Sequence, residues 1–216
     1  MDEKKKILVI APHADDEVLG CGGYLLHQKD TASILIIIGT IGGVDVRQDI
    51  TQRMQEFKNV CFFLGAEGRC LFERKDAMLD TVPSYEIIRQ LDNIVDTFRP
   101  DEIFINYKSR HQDHIKMYDC AMASLRLREG YMPKFVALYE YSFISDGLEL
   151  PKGGAAYHDI SDVIDEKVAL FYFYGSQVRQ SPSPLNDVGI RKLASFRGME
   201  IGVDYAEKYY IQKERI

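Results

Sequence analysis

The sequence predicts an α/β protein, Rossmann-like, with a mostly parallel sheet covered by helices on both faces. Three observations predict it. Short, branched, continuously apolar runs stand at Lys5–Ile10 (KKILVI), Ala32–Gly39 (ASILIIIG) and Asp101–Asn106 (DEIFIN), the pattern of strands buried on both faces. Helical periodicity fills the intervals between them. Polar clusters follow the first and third runs, where open parallel sheets place their sites, at the carboxyl ends of the strands.

The elements follow in order. After the first strand, Gly20–Gly23 (GCGG) lies on a helix and lets it pack closely. Asp49 to Leu64 carries a helical pattern closed by Gly65. From Tyr85 to Phe98, Ile87, Ile88, Leu91, Ile94, Val95 and Phe98 mark one helical face, with Ser84 as N-cap and Pro100 beyond the end. Further on, FVALYEYSF and AYHDIS read as strands and Asp162 to Tyr174 as a helix. A last helix is expected from about Asn186 to Tyr209. With 216 residues, no internal repeat and no linker-like stretch, one domain spanning 1–216 is expected.

Composition narrows the partners. The formal net charge is -6, so no basic stripe is available for phosphates and nucleic acid is not expected. No stretch approaches the roughly 18 apolar residues of a membrane span. The apolar N-terminal run is short and leads into acids, unlike a signal peptide, and Cys21, Cys61, Cys70 and Cys120 form no CxxC pair. A cytoplasmic protein with buried thiols is expected.

The chemistry concentrates in two stretches. APHADDE places His13, Asp15, Asp16 and Glu17 within five positions, and adjacent acids enter a pocket only beside positive charge. NYKSRHQDH ends at His114 and follows another strand. His13, Asp16 and His114 would make a two-histidine, one-carboxylate set, the three ligands of a catalytic zinc with one position open. Iron(II) or cobalt fits the same ligands. Asp15 is then placed to take a proton, and His111 to donate to a developing oxyanion or leaving amine. Asp113 is expected to orient His111, and Glu17 to hold the first loop.

These residues resemble a known family. PHADDE at Pro12–Glu17 and HQDH at His111–His114 resemble the zinc-dependent LmbE-like, or PIG-L, de-N-acetylases. IGTIGG, the Arg53/Glu56 helix, EKVALFYFYGSQ and FRGMEIGVDYAEKY resemble further segments of it, so the likeness spans nearly the whole chain. It implies zinc on His13, Asp16 and His114, Asp15 as general base, His111 on the oxyanion and Asp113 as its partner. The implied substrate is a small-molecule amino-sugar conjugate. Ala14 stands where the family often has proline, which makes that turn less rigid but removes no ligand. Lys108 and Arg110 in the basic YKSR loop suggest an anionic group on the substrate; the alternative is two solvated cations. Arg53 is a substrate contact or a partner for Glu56.

Other residues have plainer expectations. Cys21 reads as a small buried side chain, His27 as surface, and Ser176 and Gln177 as structural. His158 could reach the site but is not assigned to it. The tyrosines of FYFYG and KYYIQ fit a core face, with a homo-oligomer contact as the alternative. Two rival functions remain: a receiver-type magnesium-binding signalling domain, and a zinc hydrolase of some other acyl amide or ester. A catalytically silent carbohydrate-binding relative is a third.

Overall fold

A computed structural model describes residues 4–41, 50–73, 77–126, 130–140, 142 and 154–216. The first three parallel strands are β1 (Lys5–Ala11), β2 (Ala32–Thr40) and β3 (Glu67–Phe72). β4 (Glu102–Asn106), β5 (Phe135–Tyr139), β6 (Ala155–Asp159) and β7 (Ala206–Glu214) complete a seven-stranded sheet ordered β3-β2-β1-β4-β5-β7-β6. The first five in that order run parallel, with Ile7 opposite both Ile34 and Glu102. β7 is antiparallel to β5 and to β6. The chain steps from β1 outward to β2 and β3, then returns to place β4 on the other side of β1. That switch opens a crevice at the carboxyl ends of β1 and β4. The order differs from the one a receiver domain uses, 2-1-3-4-5.

Helices cover both faces, as the apolar runs require. On one face, α1 (Asp16–Gln28), α2 (Ile50–Phe63), α5 (Ile164–Phe171) and α6 (Asp187–Met199) pack Val18, Leu25, Phe57, Phe171 and Ile190 against Ile7, Val9 and Ile36. On the other, α3 (Ser84–Phe98) and α4 (Gln112–Ser124) pack Ile87, Leu91 and Met117 against Leu8, Ile10 and Ile105. Burying side chains of this size contributes about 1.5–3 kcal/mol each, which is why period-2 strands with both faces apolar need two helical layers.

Several expectations change. Pro83, held at φ -56, is the N-cap of α3; Ser84 is its first residue, and its hydroxyl accepts from Lys116. The expected last helix ends at Met199. Val203 donates back to the Gly198 carbonyl, Gly202 takes φ +79, and the chain reverses, so Ala206–Tyr209 begin a strand. Gly65 does close α2, at φ +60. Of the aromatic runs, Phe171, Tyr174, Tyr209 and Tyr210 are core, whereas Tyr172 and Phe173 are exposed. Tyr141 and Phe143, Gly42 and Gly43 at the end of IGTIGG, and Asp49 lie outside the described residues.

Candidate active site

The first acidic cluster is buried, not a solvated turn. His13, Asp15, Asp16 and Glu17 are all within a few per cent of fully covered. The local fold explains how. Pro12 leaves β1 and its carbonyl accepts from Thr40 at the end of β2. Asp15 adopts φ 133, costly for a residue with a Cβ, and strain of this kind persists only where the surroundings fix it. The surroundings are specific: the Asp15 amide donates to Glu17 Oε2 at 3.0 Å, and its carbonyl accepts from Val18 and Leu19. Asp16 and Glu17 form the first turn of α1, where the helix dipole favours negative charge. Tyr174 donates to Glu17 Oε1 from the end of α5. The expectation that Glu17 holds this turn matches that geometry.

HxDH was expected in a loop. Instead His111 is the N-cap of α4, with Nδ1 accepting from the Asp113 amide at 3.2 Å, and Gln112–His114 form the first helical turn. Asn106, the buried last residue of β4, fixes this turn by donating to the His114 carbonyl at 3.0 Å. An amide residue ending an apolar strand just before the histidines was the available signal for that role.

Three donor atoms converge. Asp16 Oδ2 lies 3.4 Å from His13 Nδ1 and 3.4 Å from His114 Nε2, and the three side chains could hold a metal ion. Bonds of about 2.0–2.2 Å at tetrahedral angles separate neighbouring donors by about 3.3–3.5 Å, so the spacing fits. The proton arrangement fits too. Asp113 Oδ2 lies 3.0 Å from His13 Nε2, so a proton on that nitrogen leaves Nδ1 bare toward Asp16. The Asp113 carboxylate thus serves His13, and also accepts from the Ala77 and Leu79 amides at 2.8 and 2.9 Å. The expected carboxylate–His111 pairing is replaced by the backbone contact to Nδ1. The carboxylate turns inward because those two amides and the His13 ring together satisfy it.

Charge follows the geometry. Burial alone would raise Asp16 and Asp113, but His114 and His13 beside Asp16, and His13 with the Leu79 and Ala77 amides around Asp113, hold both below the usual carboxylate range. Burial pushes Asp15 up to about 8, against the opposing pull of Arg53. It pushes Glu17 up to about 7, against the Tyr174 hydrogen bond.

The basic residues divide. Arg53 on α2 is 4% exposed, sits 3.2 Å from Asp15 and donates to the Ala14 carbonyl. It therefore pairs with Asp15, not with Glu56, which accepts from the Ser176 amide and hydroxyl. Lys108 lies 2.8 Å from Asp119. Arg110 is exposed beside His111. His158 lies elsewhere: its Nε2 is 2.7 Å from His27 Nδ1, and His27 Nε2 is 3.0 Å from Asp162.

Residues 8–125 match the family model of PIG-L, GlcNAc-PI de-N-acetylase. The chain belongs to the PIG-L family. Both histidine–aspartate motifs fall inside the matched segment. The chain is 28% identical over 133 residues to an uncharacterized deacetylase, YaiS, of Escherichia coli, covering 58% of this chain and 70% of that one. Among solved structures it resembles the N,N'-diacetylchitobiose deacetylase of Pyrococcus horikoshii, with TM-score 0.77, 25% identity and coverage of 97% and 84%. It also resembles the conserved protein TT1542 of Thermus thermophilus, with TM-score 0.78, 26% identity and coverage of 97% and 96%. A 4-carboxy-2-hydroxymuconate hydratase of Pseudomonas putida shares the fold at 17% identity and TM-score 0.76, so this PIG-L fold by itself does not choose a reaction. No helix among the described residues is long and apolar enough to cross a membrane.

Proposed function

We propose that this PIG-L protein is a metal-dependent hydrolase that removes the N-acetyl group from an N-acetylglucosamine-type sugar conjugate. The observation that carries it is the convergence of His13 Nδ1, Asp16 Oδ2 and His114 Nε2 beside the strained, buried Asp15. His13, Asp16 and His114 would hold the ion, zinc by preference, with iron(II) or cobalt as substitutes. When bound, such an ion lowers the pKa of water towards about 7 and polarises an amide carbonyl.

The chain's own groups supply the rest. Asp15 accepts the proton of the attacking water. Its raised proton affinity suits transfer near neutral pH, and Arg53 beside it favours the ionised form against burial. His111, stacked edge-on to His13 with ring centroids 4.9 Å apart, donates to the tetrahedral oxyanion. Asp113 fixes the His13 tautomer through its carboxylate and the His111 ring through its amide. Collapse breaks the C–N bond, a proton goes to nitrogen, and acetate and a free amine leave. The basic residue we assign to an anionic group on the substrate is Arg110, exposed next to His111 in the chain, since Lys108 is engaged by Asp119.

The test is acetate release from a panel of N-acetylglucosamine conjugates by as-purified, chelated and zinc-restored protein. Metal-dependent release that His13→Ala abolishes supports the proposal. Stoichiometric metal without release from any conjugate refutes the sugar assignment and directs the search to other acyl amides and esters.

A further inference from the structure

Helix α1 carries Asp16 in its first turn and Asp15 at its N-cap, and two charged side chains from distant elements enter its middle. Leu19 C=O and Gly23 N–H are the partners of one α-helical rung. Lys167 of α5 donates to the Leu19 carbonyl at 2.9 Å. Glu207 of β7 accepts from the Gly23 amide through Oε1 at 2.7 Å. The two side chains meet at 2.6 Å, closing a ring around that rung. Glu207 Oε2 also accepts from the next amide, Tyr24, at 2.9 Å, and from the Tyr209 hydroxyl at 2.6 Å. Both charged residues are 4% exposed.

A carboxylate taking two consecutive amides is the arrangement found at the start of a helix. Here it occurs eight residues into one. Side chains that enter the ladder divide or bend a helix, especially at glycines, and this rung lies in the GCGG run. The glycines are required sterically: a Cβ on Gly23 would lie 2.4 Å from Ile160, and one on Gly20 would lie 2.1 Å from the Tyr139 ring. Tyr139 in turn donates to the Ile10 carbonyl of β1. The first two turns of α1 are therefore clamped from behind by Lys167 and Glu207 and from below by Tyr139.

We propose that Glu207 and Lys167 are positioning residues of the metal centre, bracing α1 at its glycine run and setting where Asp16 meets His114. This rests on the metal-binding proposal above. A pair that served stability alone would lower the melting temperature and leave the ligand geometry unchanged.

The test titrates cobalt(II) into the full chain and its Glu207→Gln and Lys167→Met variants, with Tyr209→Phe as a milder change that keeps both charges. Arg197→Met is the control. It breaks a buried pair with Glu140, 2.7 Å apart, which lines the same cavity as Lys167 and Glu207 but bonds to neither partner of α1's rung. Cobalt affinity, the d–d spectrum and amide exchange at Gly23 and Tyr24 are read in protein that remains folded by circular dichroism. The expected result is about tenfold weaker binding and shifted d–d bands in Glu207→Gln and Lys167→Met. Tyr209→Phe moves the same way by less, Arg197→Met binds like the parent, and the two amides exchange faster only in the first three. Parent-like affinity and spectra in folded Glu207→Gln, Lys167→Met and Tyr209→Phe would overturn the inference. A parent chain that takes no cobalt would instead remove the metal proposal itself, and this one with it.

Discussion

The chain buries two kinds of acid cluster, and they are balanced differently. Behind α1, Glu207 faces Lys167, and at the end of β5, Glu140 faces Arg197 in a two-pronged pair. Each carboxylate there has its own cation. At the carboxyl edge of β1 and β4, four buried carboxylates, Asp15, Asp16, Glu17 and Asp113, share one permanent cation among the described residues, Arg53. The balanced pairs hold elements together. The unbalanced cluster keeps Asp15 and Glu17 partly protonated, at about 8 and 7, because burial there exceeds the compensation. Two imidazoles aimed at one carboxylate oxygen in this cluster form a group that could hold a cation.

The comparison yields predictions of decreasing size. Asp15→Asn should retain bound metal and lose about 10²–10⁴-fold in kcat; acetate assay with metal analysis checks both, and normal turnover would remove Asp15 as the base. Breaking a balanced pair should cost more stability than neutralising an unbalanced acid. Glu207→Ala should lose about 3–5 kcal/mol in urea unfolding, since Lys167 is left buried and unpaired. Glu17→Gln in metal-free protein should lose less than about 1 kcal/mol, because burial already favours the neutral form and the amide still accepts a hydrogen bond. Equal losses would erase the distinction between the clusters.

The smallest effect concerns His158. Burial lowers its pKa below the usual 6.5, outweighing the pull of nearby Glu207, with His27 adding to the lowering. The unfolded chain therefore binds the proton more readily than the folded one. Its contribution to stability is complete above about pH 6.5 and declines as pH falls through the lowered folded value. His158→Gln should flatten that part of the stability profile; an unchanged slope would assign it to other groups.

The fold was legible where burial writes a pattern. β1, β2 and β4 are apolar on both faces, and α3 has a clean stripe. The error at Ala206–Tyr209 arose because AEKYY carries no signal that separates a strand from a helix; Gly202 and the partner strands β5 and β6 decide it. The three converging donors were legible because each follows a strand end. The direction of the Asp113 carboxylate was not, since it is decided by the Ala77 and Leu79 amides, which sequence spacing does not bring near. Arg53 was read as a substrate contact or, by helical spacing, a partner for Glu56, whereas it lies 3.2 Å from Asp15. Nor could local sequence relate Lys167 and Glu207 to the glycines of α1, because the contacts span 148 and 184 residues.

The most direct test of the account is equilibrium dialysis of metal-free protein against zinc, with metal counted per chain for the parent and His114→Ala. The account predicts one tightly held ion per parent chain and none in His114→Ala at the same free zinc. No binding by folded parent protein, or equal binding by the variant, would contradict it.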